Sequence, residues 1–535
     1  MHGLHQVRAR HPSDPIITIG NAAPKGGLLR AWAFALALVV LCLPVFNPDL
    51  FWHLSAARWI ITHGGRIPRT DVLSFTKYGT PWIDFEWGTQ LFWYGVNLMA
   101  GMWGLLALKG LLLIGAFWPV DGLLREKGVS DVGRAGALAL WIAAMLAQTD
   151  LRADLTSVMF FAIILRRLER GRASFLFGFG LFALWANLHG GFILAFGLYA
   201  LAALAAPPAG LAAEAVGAFF GTLVNPYGLG IYRVLLSHAS DPAVRSVMEW
   251  GPPSAHNPFQ APLILAMALV LVLAWIGRRT SSKFLLAAAL GTLGASVVSA
   301  RFGAYFAAAG TMFVFSAFPK PRAAFVAFGL AALSALLIPL RTHLRGRAFD
   351  DFIVARRAAD FVVRERRQLQ RLRLFNQYEW GGYLGWRLGD DALVFGDGRY
   401  LFHSQLPEIN AALTSPENLA KFAASRRVDG FLIKNLDTKL PSTRKYPDGT
   451  TRKFDRPWYV SYLPRDRWAL VYWDDQALVI VDRAKVQADW LAAHEYRWEL
   501  PGDEAARDDA RSRGEIPSGP AAAEAARHTQ EVRSR

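Results

Sequence analysis

A single cysteine, Cys42, stands in 535 residues, so the chain cannot close a disulfide within itself. Charge is also scarce, at 19% of residues, and it collects in short segments between apolar runs and in the last third. The 12 histidines form no zinc-type spacing with that cysteine. No phosphate-cradling P-loop, dinucleotide glycine fingerprint, nucleophile elbow or repeat of fixed period is present. These absences argue against soluble nucleotide-dependent chemistry. What is abundant is apolar: 53% hydrophobic residues, with 19 Trp and 35 Phe, the composition of a polytopic membrane protein with soluble attachments. A net charge of +16 would suggest nucleic acid in a soluble protein. Here many Lys and Arg sit in short loops, where they set orientation and meet anionic headgroups. The expected partners are therefore membrane lipids and not nucleic acid.

Residues 1–28, with Arg8, Arg10 and Lys25 among Gly and Pro, read as a flexible cytoplasmic arm. The apolar run 29–46 then exits at Asn47-Pro48-Asp49. The arm is long and no small-residue cleavage site follows, so the run is expected to stay as the first spanning helix. Inner turns carry Arg and Lys at 125–134, 166–172, 278–283 and 320–322, although the turn near Pro207 has none. Alternating them with outer turns gives an α-helical polytopic domain, 29–340, of about 11 transmembrane helices. External loops 49–87 and 225–258 interrupt it, the first containing an amphipathic stretch, 50–63, expected to lie along the membrane interface. Residues 341–502 change to a small extracytoplasmic α/β domain, with a charged helix over 348–371 and strands near 392–395, 430–434, 469–473 and 477–481. Residues 503–535 lack apolar periodicity and read as a disordered tail.

On this threading nearly every unusual polar cluster falls on one non-cytoplasmic face, as an active site would. Asp49 sits among bulky aromatics, where partial desolvation suits a carboxylate to accept a proton from a hydroxyl; it is equally placed to cap the helix that follows. Asp84 and Glu86 close the same loop, with His53 at its start. Paired acids fit a divalent cation or an acid and base pair, unless they face water while Trp82 and Trp87 anchor the interface. Asn187 and His189 precede Gly190-Gly191, which permits close approach of a ligand or a facing helix. Asn225-Pro226-Tyr227 and Glu249 lie on the same face. Arg152 and Arg301 stand near membrane depth, where an arginine needs an acidic partner such as Asp150, Asp154 or Glu249, or a phosphate to fork.

The segments 49–54, 81–87, 185–191 and 225–228 resemble those of GT-C membrane glycosyltransferases, including bacterial GT-C-like proteins of unassigned substrate, over about residues 30–340. The resemblance implies a polyprenyl-phosphate-linked sugar donor and a lipid, polysaccharide or protein acceptor. It places Asp49, by position, as the catalytic base, with Glu86 as the second catalytic candidate. Arg152 and Arg301 would hold the leaving phosphate, and His53, Asp84, Asn187, His189, Tyr227 and Glu249 would bind substrate. The resemblance fixes no cofactor and leaves a divalent cation, Mg or Mn, open. The implied location is the bacterial inner membrane, with the N-terminus cytoplasmic. Asn376 to Leu384 also resembles the acceptor-reading Trp-Trp-Asp-Tyr-Gly segment of oligosaccharyltransferases, but lacks the tandem Trp and the Asp. Asp397-Gly398-Arg399 reads as a tight turn. The alternative is a non-catalytic binding or assembly protein for envelope polysaccharide. Transport would need polar residues or broken helices at mid-bilayer depth, whereas these clusters sit at helix ends.

Overall fold

A backbone in hydrocarbon must satisfy its own polar groups, so apolar runs between charged or Pro-bearing turns become helices. The computed structural model describes residues 25–205, 207–240, 250–279, 282–344, 346–350, 353–390 and 392–533. All eleven stretches read as spans are helical. They are α1 (Lys25–Leu41), α3 (Trp87–Glu126), α4 (Asp131–Met145), α5 (Asp154–Glu169), α6 (Phe175–Trp185), α7 (Ile193–Ala205), α8 (Leu211–Thr222), α10 (Ala261–Gly277), α11 (Lys283–Val298), α12 (Gly303–Ala317) and α13 (Ala323–Leu337). The two external loops hold α2 (Leu50–Thr62) and α9 (Gly230–Ser240). Two helices are long and apolar enough by themselves to cross a bilayer, Trp87–Glu126 and Ala323–Leu340; others are shorter apolar helices. Large apolar side chains stand exposed around the bundle, among them Leu38, Trp118, Leu176, Trp275 and Phe328. Exposed apolar surface of this extent, on apolar helices, fits contact with a membrane. The chain is an integral membrane protein.

The two ends of the bundle differ. At one end Glu126 pairs with Arg166 and Arg170, Asp121 with Arg134, and Lys127 with Glu169. The turn near Pro207, which has no basic residue of its own, is served by Arg167, 3.2 Å from the buried Glu214 of α8. At the other end α2 packs between α3 and helix 381–388 of the C-terminal domain. The stretch expected to lie along the membrane interface is therefore roofed over, with Leu50 through Ala57 and Ile60 all buried. Its aromatic residues had the composition of an interfacial helix, but protein covers them.

The C-terminal domain is α/β. Its sheet has the order β1-β2-β6-β5, from β1 (Leu374–Asn376), β2 (Gly430–Lys434), β5 (Trp468–Trp473) and β6 (Ala477–Asp482), and β3 (Lys439–Lys445) pairs with β4 (Thr451–Pro457) separately. Leu374 aligns with Gly430 in parallel, and Gly430 with Val481 antiparallel. Alternation splits the apolar side chains between two cores. Leu432, Val479 and Val481 join a core containing Leu50, Leu54, Trp93 and Leu105 of the bundle end, whereas Phe431, Ile433 and Ile480 join Phe375, Phe422 and Trp468.

Three expectations change here. Residues 392–395 form no strand of the sheet; Val394 makes only an isolated bridge to Ser74. The charged helix is broken at Glu365, into Arg356–Arg364 and Arg366–Leu369. The tail is ordered as helices Glu504–Ser512 and Ser518–Arg533. Carboxylates hold it in place of a hydrophobic stripe: Glu524 accepts the N–H groups of Arg497, Trp498 and Glu499, and Asp503 pairs with Arg456. Of the arm, residues 1–24 lie outside the described residues.

Candidate active site

Between the bundle end and the C-terminal domain lies a cavity of about 730 Å³. Asp49, His53, Asp84, Glu86, Arg152, His189 and Arg301 all line it. Asn187 and Tyr227 do not. The Asn187 side chain accepts from Trp87 Nε1 at 2.9 Å and donates to the carbonyls of Ala183 and Val224, and the Tyr227 hydroxyl donates to Pro68 O at 2.8 Å. Both side chains are taken up in joining loops. Glu249 lies outside the described residues.

Asp49 is delivered by the exit of α1. The Asp150 carboxylate accepts Phe46 N–H at 3.0 Å, Asn47 Nδ2 donates to Leu151 O at 3.2 Å, and Asn47 Oδ1 accepts Asp49 N–H at 3.1 Å. Asp49 stands at the N-terminus of α2 but makes no side-chain cap bond to it. Its carboxylate meets Gly398 of the C-terminal domain so closely that a Cβ there would lie 1.8 Å from Oδ1. Only glycine fits.

Asp84 and Glu86 sit where α3 begins. Gln90 Nε2 donates to Asp84 Oδ1 at 2.6 Å, while Asp84 Oδ2 is buried with no hydrogen bond. Burial pushes the Asp84 pKa up to about 7, against the pull of Gln90 and Arg399. Burial, then Asp84, pushes Glu86 up to about 8, with Arg301 opposing. A carboxyl raised in the folded state holds a proton that the unfolded chain has released, so stability falls as pH rises from about 4.5 to about 8. Glu86→Gln, neutral and of the same shape, is expected to flatten that fall in part, since Asp84 still contributes. Thermal midpoints of wild type and variant at about pH 5 and about pH 8 measure it; equal slopes would refute the assignment.

His189 Nδ1 lies 2.7 Å from Ser157 Oγ, and its Nε2 faces Glu86 Oε1 at 3.7 Å. Burial, reinforced by Arg301, drops its pKa to about 3. His53 stacks on Trp52 at 3.6 Å, its Nδ1 is buried without a hydrogen bond, and burial holds its pKa well below the ordinary range. Arg301 sits on the turn between α11 and α12, its guanidinium 4.7 Å from the centre of the Trp250 ring. Arg152 opens the turn before α5.

Arg399, read from sequence as part of a tight turn, also lines the cavity. Its Nε lies 2.8 Å from Asp397 Oδ1 and its Nη1 2.7 Å from Asp71 Oδ1, with Trp82 beneath the guanidinium at 4.5 Å. Burial works against its charge, but the two carboxylates raise its pKa above the usual arginine value. Tyr378 and Tyr400 complete this wall. Among the described residues no three His, Cys, Asp or Glu side chains are grouped to hold a metal ion.

No protein-family model matches the sequence, and no curated protein matches it by sequence. Solved structures do match. An archaeal oligosaccharyltransferase, AglB from Archaeoglobus fulgidus, in complex with an inhibitory peptide and a dolichol-phosphate, has a TM-score of 0.51 at 12% identity, over 82% of this chain and 75% of that one. ArnT from Cupriavidus metallidurans bound to undecaprenyl phosphate has a TM-score of 0.46 at 12% identity, over 86% of this chain and 98% of that one. The argument for the fold rests on the first.

Proposed function

With the GT-C fold as premise, we propose that the protein is a membrane glycosyltransferase that moves a sugar from a polyprenyl-phosphate donor to a cell-envelope acceptor. One observation carries the reading. An acid seated at the mouth of a helical bundle shares a single cavity with Arg152 and Arg301. Asp49 takes the proton of the acceptor hydroxyl as its oxygen bonds to the anomeric carbon. The bond from that carbon to the phosphate oxygen breaks, and its electron pair leaves with the polyprenyl phosphate. Charge builds on that phosphate during transfer, so arginines fixed beforehand favour the transition state. Asp84, Glu86, His53 and His189 are assigned to the sugar hydroxyls. Basic turns crowd the opposite end of the bundle, and the positive-inside rule then supports an extracytoplasmic cavity.

Photo-crosslinking of the purified full chain with a polyprenyl-phosphate probe tests this. Saturable labelling is expected, weakened about tenfold or more in Arg152→Ala and in Arg301→Ala, as loss of a charge-assisted contact of about 2 kcal/mol requires. A polyprenol lacking the phosphate should not compete. Absence of saturable labelling would overturn the reading.

A further inference from the structure

Ser157 of α5 is fully buried behind the cavity wall. Its Oγ accepts Trp185 Nε1–H at 2.7 Å, which leaves its own hydrogen for His189 Nδ1, 2.7 Å away. The backbone N–H of Gly191 points at the same Nδ1 from 3.0 Å. A ring nitrogen that accepts a backbone N–H carries no hydrogen itself. The imidazole is thereby neutral, with its hydrogen on Nε2, the nitrogen turned to Glu86. The packing admits nothing else at position 191, where a Cβ would lie 2.5 Å from Ser157 Oγ and 2.6 Å from the Tyr305 oxygen.

We propose that Ser157 is a positioning residue for the transfer site: it locks His189 in the Nε2–H tautomer, so that His189 gives a hydrogen toward Glu86 and never takes one from substrate. This rests on reading the cavity as a transferase site. It leaves the acceptor's proton to the carboxylates and makes His189 a donor only. The 3.7 Å between Nε2 and Glu86 Oε1 is too long for a direct hydrogen bond. A sugar hydroxyl can bridge it, accepting from Nε2–H and donating to the Glu86 carboxyl oxygen.

The test is nitrogen NMR of the full chain labelled with ¹⁵N-histidine in lipid nanodiscs, with the His189 signals assigned by their loss in His189→Gln. A bare Nδ1 and a protonated Nε2 are expected, unchanged from about pH 5 to about pH 8, the range in which an ordinary histidine titrates. Ser157→Ala leaves only the Gly191 N–H on Nδ1, so it should shift the Nδ1 signal, and Ser157→Thr, which restores the hydroxyl, should keep the wild-type signature. A wild-type ring protonated on Nδ1, titration near the ordinary midpoint, or an unchanged Ser157→Ala spectrum would each overturn the proposal. The measurement needs no polyprenyl phosphate, so its failure and a failure of crosslinking are separate results.

Discussion

Asp49→Asn is expected to lose transfer by about 10²- to 10⁴-fold while labelling by the polyprenyl-phosphate probe stays at the wild-type level. The substitution keeps the size of the side chain and removes only its capacity to hold a proton. Three features already on the molecule make the effect specific. The carboxylate makes no cap bond to α2, so the amide removes no hydrogen bond from that helix end. Its backbone is set by Asn47, and through Asp150 and Leu151 by the turn that carries Arg152, so Asp49 and Arg152 are held to one turn. Its oxygen also rests on Gly398, which fixes the carboxylate from the opposite side. Transfer would be measured as polyprenyl phosphate released from the lipid-linked sugars of the host membrane. A variant that transfers at the wild-type rate would move the base to Glu86. A variant that loses labelling along with transfer would make Asp49 a binding group.

Much of this was legible in the sequence. Hydropathy located the helices, because a spanning segment must satisfy its backbone internally and so cannot be disguised. Residues at helix ends then followed, and seven of the ten chosen as site candidates line one cavity. Asn187 and Tyr227 looked no different from them. Helix ends also need side chains to join loops, and nothing local tells a side chain that binds Val224 O from one that faces a cavity. Glu249 lies outside the described residues. The contribution of the C-terminal domain was harder still. Arg399 meets Asp71 across 328 positions of sequence, a distance at which no periodicity speaks. The signal that was present is the glycines: Gly381, Gly382 and Gly398 sit beside Gly396, Trp52 and Asp49 because a Cβ at any of them would collide or press hard. Glycine clusters within an α/β segment mark close approach of backbone as well as turns.

The clamp those glycines accompany yields the largest expected change in stability. Arg399 is 1% exposed at its side chain and joins two carboxylates that are equally buried, Asp397 and Asp71. Arg399→Ala would leave both acids unpaired, at a cost of about 3–5 kcal/mol. The loss falls where the first external loop is laced to the C-terminal domain: Phe75 N–H bonds Val394 O, Thr76 Oγ1 bonds Phe395 O, and Ile83 N–H bonds the Tyr400 hydroxyl. The expected result is a lowered thermal midpoint, with proteolysis entering residues 70–83 first. Arg399→Lys would recover only part, since an ammonium cannot fork both acids from one plane. An opposing account makes Arg399 a third phosphate ligand. That account predicts an unchanged midpoint and lost labelling, and the two carboxylates already on the guanidinium argue against it. Asp397→Asn separates the two cases: it weakens the clamp while freeing positive charge, so the midpoint should fall while polyprenyl-phosphate labelling holds or rises.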